Sequence, residues 1–358
     1  MKFLTSSLVA AALVASSTLV AASPQDVSGL ALNHGSAHLE KRTSCKAGSS
    51  KHKKHKSKKN SASSATKSAG SKAAKSSGTS SSSSASSSAS SSSSSSGAQG
   101  SGKKPSGYKS KAGLCWANAG GINIEPFMSG TVSWFYSWGA WPKWDSAPTD
   151  SLFFPMLWGD SGPGANLDDF KKRVLNDQNG KWNKHKAVMA MNEVNQKGQA
   201  KMTPEHACSL MRENIKPLAD KGWYVMGPST TSAPDGLEWY KEFKSKCADQ
   251  FNSLDAISLH FYDTTAEKFK TYVQNWIDTF DKDVWITEMA CTNFNGNDQP
   301  SASDVKSFMT ETKQWMDSND RVMGYAWFAA LQSMQGVTQQ NCLLSGKEPN
   351  ALFRMYSS

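Results

Sequence analysis

A chain of 358 residues with 40 Lys and Arg against 30 Asp and Glu carries a formal net charge of +10, but that charge is unevenly spread. Up to Lys111 there are 17 basic and 2 acidic residues, and beyond it 23 basic and 28 acidic. This argues against a uniformly basic nucleic-acid-binding domain, and only the second part, which holds nearly all the aromatic residues, can bury a large core.

The chain opens MKFLTSSLVAAALVASSTLVAAS, with Lys2, an Ala/Leu/Val run and small residues around Val20 and Ala22. This is the pattern of a secretory signal peptide over residues 1–22. No later stretch reaches the roughly 20 apolar residues of a membrane span. The expectation is a secreted protein, extracellular or held at a cell wall, with no membrane partner after signal removal. Lys41-Arg42 reads either as a processing site, which would make residues 23–42 a propeptide, or as an ordinary exposed pair.

Residues 43–110 combine the block KHKKHKSKKN with an almost pure Ser tract from Ser80 to Ser96. Neither can bury enough apolar surface to offset chain entropy, so this segment is expected to be a disordered basic linker. Its lysines would contact polyanions or an acidic cell wall in a salt-sensitive way. Six cysteines in a secreted chain point to disulfides. Cys208–Cys247 and Cys291–Cys342 are the expected pairs, with Cys115 left over and Cys45 in the basic tail. No C-x-x-C or H-E-x-x-H spacing occurs, so no metal site is expected.

From Lys111 short apolar runs alternate with amphipathic ones. GLCWAN, TVSWFY, LFFPML, AVMAMN, WYVMGP, AISLHF, VWITEM and GYAWFA read as strands beginning near Gly113, Thr131, Leu152, Ala187, Trp223, Ala256, Val284 and Gly324. Helical patterns lie between several of them. One has Thr203 as cap, Pro204 in the first turn and Gly222 as terminator; others are AEKFKTYVQNWIDTF and SASDVKSFMTETKQWMDS. Eight alternating strands in the span 111–358 predict an α/β fold, a (β/α)8 TIM barrel with irregular early repeats. An open doubly wound sheet is the alternative, but no Gly-rich phosphate turn follows an early strand.

In that barrel Glu193 follows the fourth strand and Glu288 ends the seventh, both at the end where such barrels place their sites. Two converging carboxyls are the minimum equipment for cleaving a glycosidic bond, one protonated to release the leaving oxygen and one ionised. Trp134, Tyr136, Trp138, Trp158, Tyr262 and Trp327 supply aromatic faces at other strand ends, and His260 and Asn192 supply hydrogen bonds. With little charge among them, they suit a neutral polysaccharide. Burial and the second carboxylate should raise the pKa of Glu193.

At these residues the sequence resembles fungal glycoside hydrolase family 128, through GLCWAN, VSWFYSW, FFPMLWG, MNEVN, GPSTT, SLHFY, WITEMAC and YAWFAA over about Lys111 to Tyr356. The resemblance implies a retaining clan A barrel hydrolase acting on β-1,3-glucan, with Glu193 as acid/base and Glu288 as nucleophile. That two-carboxyl mechanism needs no cofactor, and a monomer is expected. The chain departs from the pattern at Val194, where the family usually has Pro, and at Asn195, where Asp is common. A non-catalytic glucan-binding wall protein is the competing class. A hydrolase of β-1,4-mannan or β-1,4-glucan is the competing enzyme.

Overall fold

The computed structural model describes residues 101–117, 121–143 and 147–358. The expected signal peptide, the propeptide, the Lys41-Arg42 pair, Cys45 and the Lys- and Ser-rich segment to residue 100 lie outside the described residues. Eight strands form one parallel sheet: β1 (Ala112–Cys115), β2 (Val132–Tyr136), β3 (Leu152–Phe154), β4 (Ala187–Met189), β5 (Tyr224–Thr230), β6 (Ala256–Asp263), β7 (Asp283–Cys291) and β8 (Val322–Trp327). Their order is β3-β2-β1-β8-β7-β6-β5-β4. A parallel bridge between Met156 and Met189 joins the two outer strands, with Met189 N donating to Pro155 O at 2.9 Å. The ring closes, which is the expected barrel and not the open sheet. The strands are short apolar runs because both of their faces are covered.

The crossovers into β2 and β3 carry only one 3-10 turn among the described residues, Glu125–Phe127. A short helix α1 (Leu167–Phe170), continued by a wider π-helical turn, leads to β4. The helix expected over 203–222 is two pieces, α2 (Pro204–Asn214) and α3 (Lys216–Ala219). Pro217 has no N–H for the helical ladder, which accounts for the break. Thr203 caps α2 as expected, accepting from His206 N. Next come α4 (Pro234–Lys246), α5 (Ala248–Asn252), α6 (Ala266–Phe280) and α7 (Ala302–Ser318), the last opened by a Ser301/Asp304 capping box. A small hairpin and α8 (Ala351–Tyr356) follow β8.

Aromatic rings fill the barrel axis. Trp285 of β7 packs edge-on against Trp134 of β2 at 4.9 Å and Phe154 of β3 at 5.1 Å, and its indole N–H donates to Tyr224 OH at 2.9 Å. Two glycines make room for the indoles. A Cβ on Gly113 would come within 2.1 Å of Trp134, and one on Gly324 within 2.2 Å of Trp285. Both glycines serve close approach, not an unusual backbone angle.

Residues 101–110, expected to belong to the disordered linker, instead run against the end of the barrel where the strands begin. Gly102 N donates to Asp283 at 3.0 Å, Lys103 pairs with Asp255 at 2.8 Å, and Tyr108 donates to Met323 O at 2.9 Å while its ring meets Trp285. Tyr108 supplies the apolar surface that the Ser tract lacks. Cys208 and Cys247 are bonded as expected, fastening α2 to the end of α4 with Cα atoms 5.8 Å apart. The expected Cys291–Cys342 pair is not formed. Cys291 is a free buried thiol directed at Thr264 O, whereas Cys342 faces Leu331 O and is disulfide-bonded elsewhere. Sequence spacing carries no side-chain direction, and direction decides which thiols can meet.

Candidate active site

A change of phase in β7 aims Glu288. Leu259 of β6 pairs with Ile286, but the next residue, His260, pairs with Glu288, so β7 carries one extra residue at this step. Successive strand side chains face opposite ways, and a one-residue shift exchanges the faces. Trp285 points into the barrel, three residues before Glu288, so regular alternation would have turned Glu288 outward. The bulge turns it inward, and the extra residue, Thr287, shares a hydrogen bond with Ser258 at 2.6 Å.

Glu288 is 4% exposed and surrounded by donors. Trp138 Nε1 donates to Oε1 at 2.7 Å, Tyr262 OH to Oε2 at 2.6 Å, and Tyr136 OH reaches Oε1 at 3.5 Å. Burial first, then the Glu288 charge, push both phenols well above their ordinary pKa, so both stay protonated as donors. Such a set of fixed donors suits an anion.

Glu193 is held differently. Past β4 the chain stays threaded between the ends of β3 and β5, with Asn192 N donating to Trp158 O and Val194 N to Ser229 O. Glu193 itself adopts the left-handed region at φ 45, and its N–H donates to Ser229 Oγ at 3.0 Å. For a non-glycine residue this conformation costs roughly 1–3 kcal/mol and persists because its surroundings enforce it. Its carboxyl is 2% exposed, and among the described residues its one side-chain partner is His260, whose Nδ1 lies 2.8 Å from Oε1. Burial raises the Glu193 pKa to about 6, opposed by the His260 hydrogen bond and charge and assisted by Glu288.

His260 links the two acids, its Nδ1 also lying 3.4 Å from Glu288 Oε2. Burial works against its charge, but Glu288 and then Glu193 hold its pKa above the ordinary histidine value. One ligand atom from each of Glu193, His260 and Glu288 lies within 4.8 Å of the others. Two carboxylates and an imidazole are a donor set for a divalent cation by type. Here the imidazole nitrogen facing them is already shared by both acids, so an ion would have to displace those contacts.

The remaining expected site residues fall into two groups. Trp138, Tyr136, Tyr262 and His260 touch the acids, as above. Asn192 lies beside Glu193, its Nδ2 bonded to Gln199 at 3.2 Å and its Oδ1 buried without a partner among the described residues. Trp134, Trp158 and Trp327 do not present free faces. Trp134 is fully buried in the barrel axis, and Trp327 donates to Asn341 O and packs on Phe308. Trp158 is covered by its own loop, where a Cβ on Gly164 would come within 2.5 Å of the ring.

Sequence reasoning missed Cys115, Ser229, Phe294 and Phe328. The Cys115 thiol donates to Trp327 O at 3.2 Å, and burial and then Glu288 raise its pKa far above the usual thiol range. Phe328 sits between Trp138 and Tyr262, and the half-buried Phe294 packs edge-on against Tyr262 at 5.5 Å. Position at a strand end was the available signal for Cys115 and Ser229. Asn195, a departure from the family pattern, bonds both Thr231 and Asp235 at 2.9 Å, so Asp at this position would set two carboxylates against each other.

Residues 113–356 match the family model described as Glycosyl hydrolase catalytic core. The chain belongs to this family. Its resemblance to glycoside hydrolase family 128 stands as well. It is similar to Alkali-sensitive linkage protein 1 of Schizosaccharomyces pombe, 26% identical over 245 residues that cover 67% of this chain and 43% of that protein. The chain therefore spans less than half the length of this curated relative. It is also similar to the solved structure of a subgroup I endo-β-1,3-glucanase of this family from Amycolatopsis mediterranei in complex with laminaripentaose. The identity is 25%, with 70% of this chain and 99% of that one covered and a TM-score of 0.55. A subgroup III curdlan-specific exo-β-1,3-glucanase from Blastomyces gilchristii, in complex with glucose, is 25% identical, covering 69% and 97% with a TM-score of 0.56.

Proposed function

We propose that this glycosyl hydrolase is secreted, acts on β-1,3-glucan such as that of a fungal cell wall, and cleaves it with retention, Glu288 as nucleophile and Glu193 as acid/base. One observation carries the reading: two acids from opposite sides of the barrel lie within 4.8 Å of each other in contrasting surroundings. That separation suits the about 5–5.5 Å of retaining pairs and falls short of the about 6.5–9.5 Å that an inverting pair needs for water. Support for the substrate comes from the two similar glucanases, seen with laminaripentaose and with glucose.

In this mechanism the ionised Glu288, steadied by Trp138 and Tyr262, attacks the anomeric carbon and forms a glycosyl ester. Glu193, whose raised pKa keeps it protonated in mildly acidic solution, gives its proton to the leaving oxygen. It then takes a proton from the water that opens the ester, and His260 accommodates both of its charge states. The unpaired Asn192 Oδ1 is an acceptor for a sugar hydroxyl. The Lys-rich segment adds salt-sensitive wall contact, and the enzyme works as a monomer.

The test is Glu288→Gln incubated with laminarin. Reducing ends should not accumulate while laminarin binding persists, and retained hydrolysis overturns the assignment. NMR of the first product from the unaltered enzyme should show the β-anomer; the α-anomer would reject retention. Product sizes from a defined oligosaccharide series decide between internal and terminal cleavage.

A further inference from the structure

The loop that follows the Glu288 strand is polar at every position but one. From Thr292 to Gln299 it reads TNFNGNDQ, and Pro300 then leads into the Ser301 cap of α7. Asn295 to Gln299 are exposed, as a loop of amides should be, and Phe294 stands half-buried among them. We infer that Phe294 is the stacking face for a glucosyl unit next to the one being cleaved, and so sets how tightly longer β-1,3-glucans are held. The inference rests on the reaction proposed for Glu193 and Glu288, and it adds a residue that touches neither acid.

The only ring contact of Phe294 among the described residues is Tyr262, with centroids 5.5 Å apart and planes at 65°. Whichever of the two rings offers its edge, at least one face of Phe294 has no ring against it. Tyr262 meets Phe328 as well, at 5.9 Å, and its hydroxyl donates to Glu288 Oε2 at 2.6 Å. One phenol therefore separates the Phe294 ring from the carboxylate. A sugar reacting at Glu288 leaves Phe294 to the next unit of the polymer. β-Linked glucose holds its hydroxyls at the rim of the ring and turns C–H groups to both faces, which is the surface an aromatic face accepts.

A platform must also be held still, and the loop is tied from within. Gln299 Oε1 accepts from Thr292 Oγ1 at 3.2 Å and Asn293 N at 3.1 Å, while its Nε2 donates to Asn293 O at 2.6 Å and Gly296 O at 3.3 Å. Asn293 Oδ1 accepts from Asn295 N at 2.9 Å, and its Nδ2 donates to Asp298 O at 3.2 Å. Thr292 Oγ1 accepts from Thr338 N at 3.1 Å, which fastens the base of the loop to the segment after β8. Phe294 is thus clasped between two bonded neighbours. Gln299, which closes the clasp, is its positioning residue. A ring fixed before the polymer arrives loses less freedom on binding.

Kinetics on laminarihexaose with Phe294→Leu, Phe294→Tyr and Gln299→Ala test this. Leucine still covers Tyr262 but has no aromatic face. Phe294→Leu should therefore raise KM about 3- to 10-fold, with kcat and both limbs of the pH profile held. Titration calorimetry in the Glu288→Gln background should show laminarihexaose affinity falling by the same factor, and Phe294→Tyr should restore both. If Phe294 were only a cover for Tyr262, leucine would serve as well. Unchanged KM and affinity in Phe294→Leu overturn the inference, and so does a loss carried by kcat or a moved pH limb. Gln299→Ala should also raise KM, but add little on top of Phe294→Leu; fully additive losses would show that Gln299 does not act through Phe294. An active unaltered enzyme with an indifferent Phe294→Leu leaves the proposed reaction standing and removes only this inference. An unaltered enzyme that releases no reducing ends from laminarihexaose removes both.

Discussion

Glu288 and Glu193 meet at one mouth but are held in opposite ways. Glu288 stands on β7, one of the longest strands, with Trp138 and Tyr262 donating to its two oxygens. Glu193 hangs from a strained turn past β4, one of the shortest, with a single imidazole for company. The contrast matches what retaining chemistry asks. A nucleophile must remain anionic and fixed, and an acid/base must change protonation state twice per turnover, which a dry carboxyl with one adaptable partner does best.

Replacing each acid gives the strongest way to break this comparison. Glu288→Ala should lose on the order of 10⁵–10⁶ in kcat. Azide with an activated aryl glucoside should partly restore turnover and yield the α-glucosyl azide. Glu193→Ala should lose about 10²–10⁴ on laminarin, retain far more on the aryl glucoside, and yield the β-azide. If the anomers come out reversed, the roles are exchanged. Tyr262→Phe removes one donor to the anion, worth about 1.5–3 kcal/mol, or roughly 10- to 100-fold in kcat with KM little changed.

The pH profile sharpens the contrast. If Glu193 is the acid of the first step, the alkaline limb of activity should fall as pH rises through its pKa of about 6, while Glu288, which must stay ionised, sets the acid limb. His260 depresses that pKa, so His260→Ala should move the alkaline limb upward as well as lowering the rate; a limb that stays put would remove Glu193 as its origin. The smallest effect is expected from Ser229→Ala, which strips the acceptor from the Glu193 N–H. A loss of about 1–3 kcal/mol in stability, read as a fall in Tm, should accompany a modest fall in kcat.

The barrel was legible because strands covered on both faces are written as apolar runs, and all eight candidates from GLCWAN to GYAWFA became strands. The two glutamates were legible because barrels of this kind put chemistry at strand ends. What the sequence hides is direction. Trp285 and Glu288 share an interior only because of the extra residue in β7, and nothing in VWITEMA marks a bulge. Trp134 and Trp138 read alike as alternating aromatics, yet one fills the axis and the other donates to Glu288. Trp158 reads as an exposed platform until the glycine-containing loop folds over it. The Cys291–Cys342 expectation failed for the same reason, and Tyr108 is the one aromatic of residues 101–110, which pack on the barrel.

The hydrogens of Gly113 and Gly324 keep open the seats of two indoles, and Trp134 stacks beneath Tyr136, which reaches toward Glu288. A methyl group added at either glycine would therefore jack the floor against the machinery above it. Activity screens should return these two silent backbone positions among the dead variants, although neither comes near a saccharide.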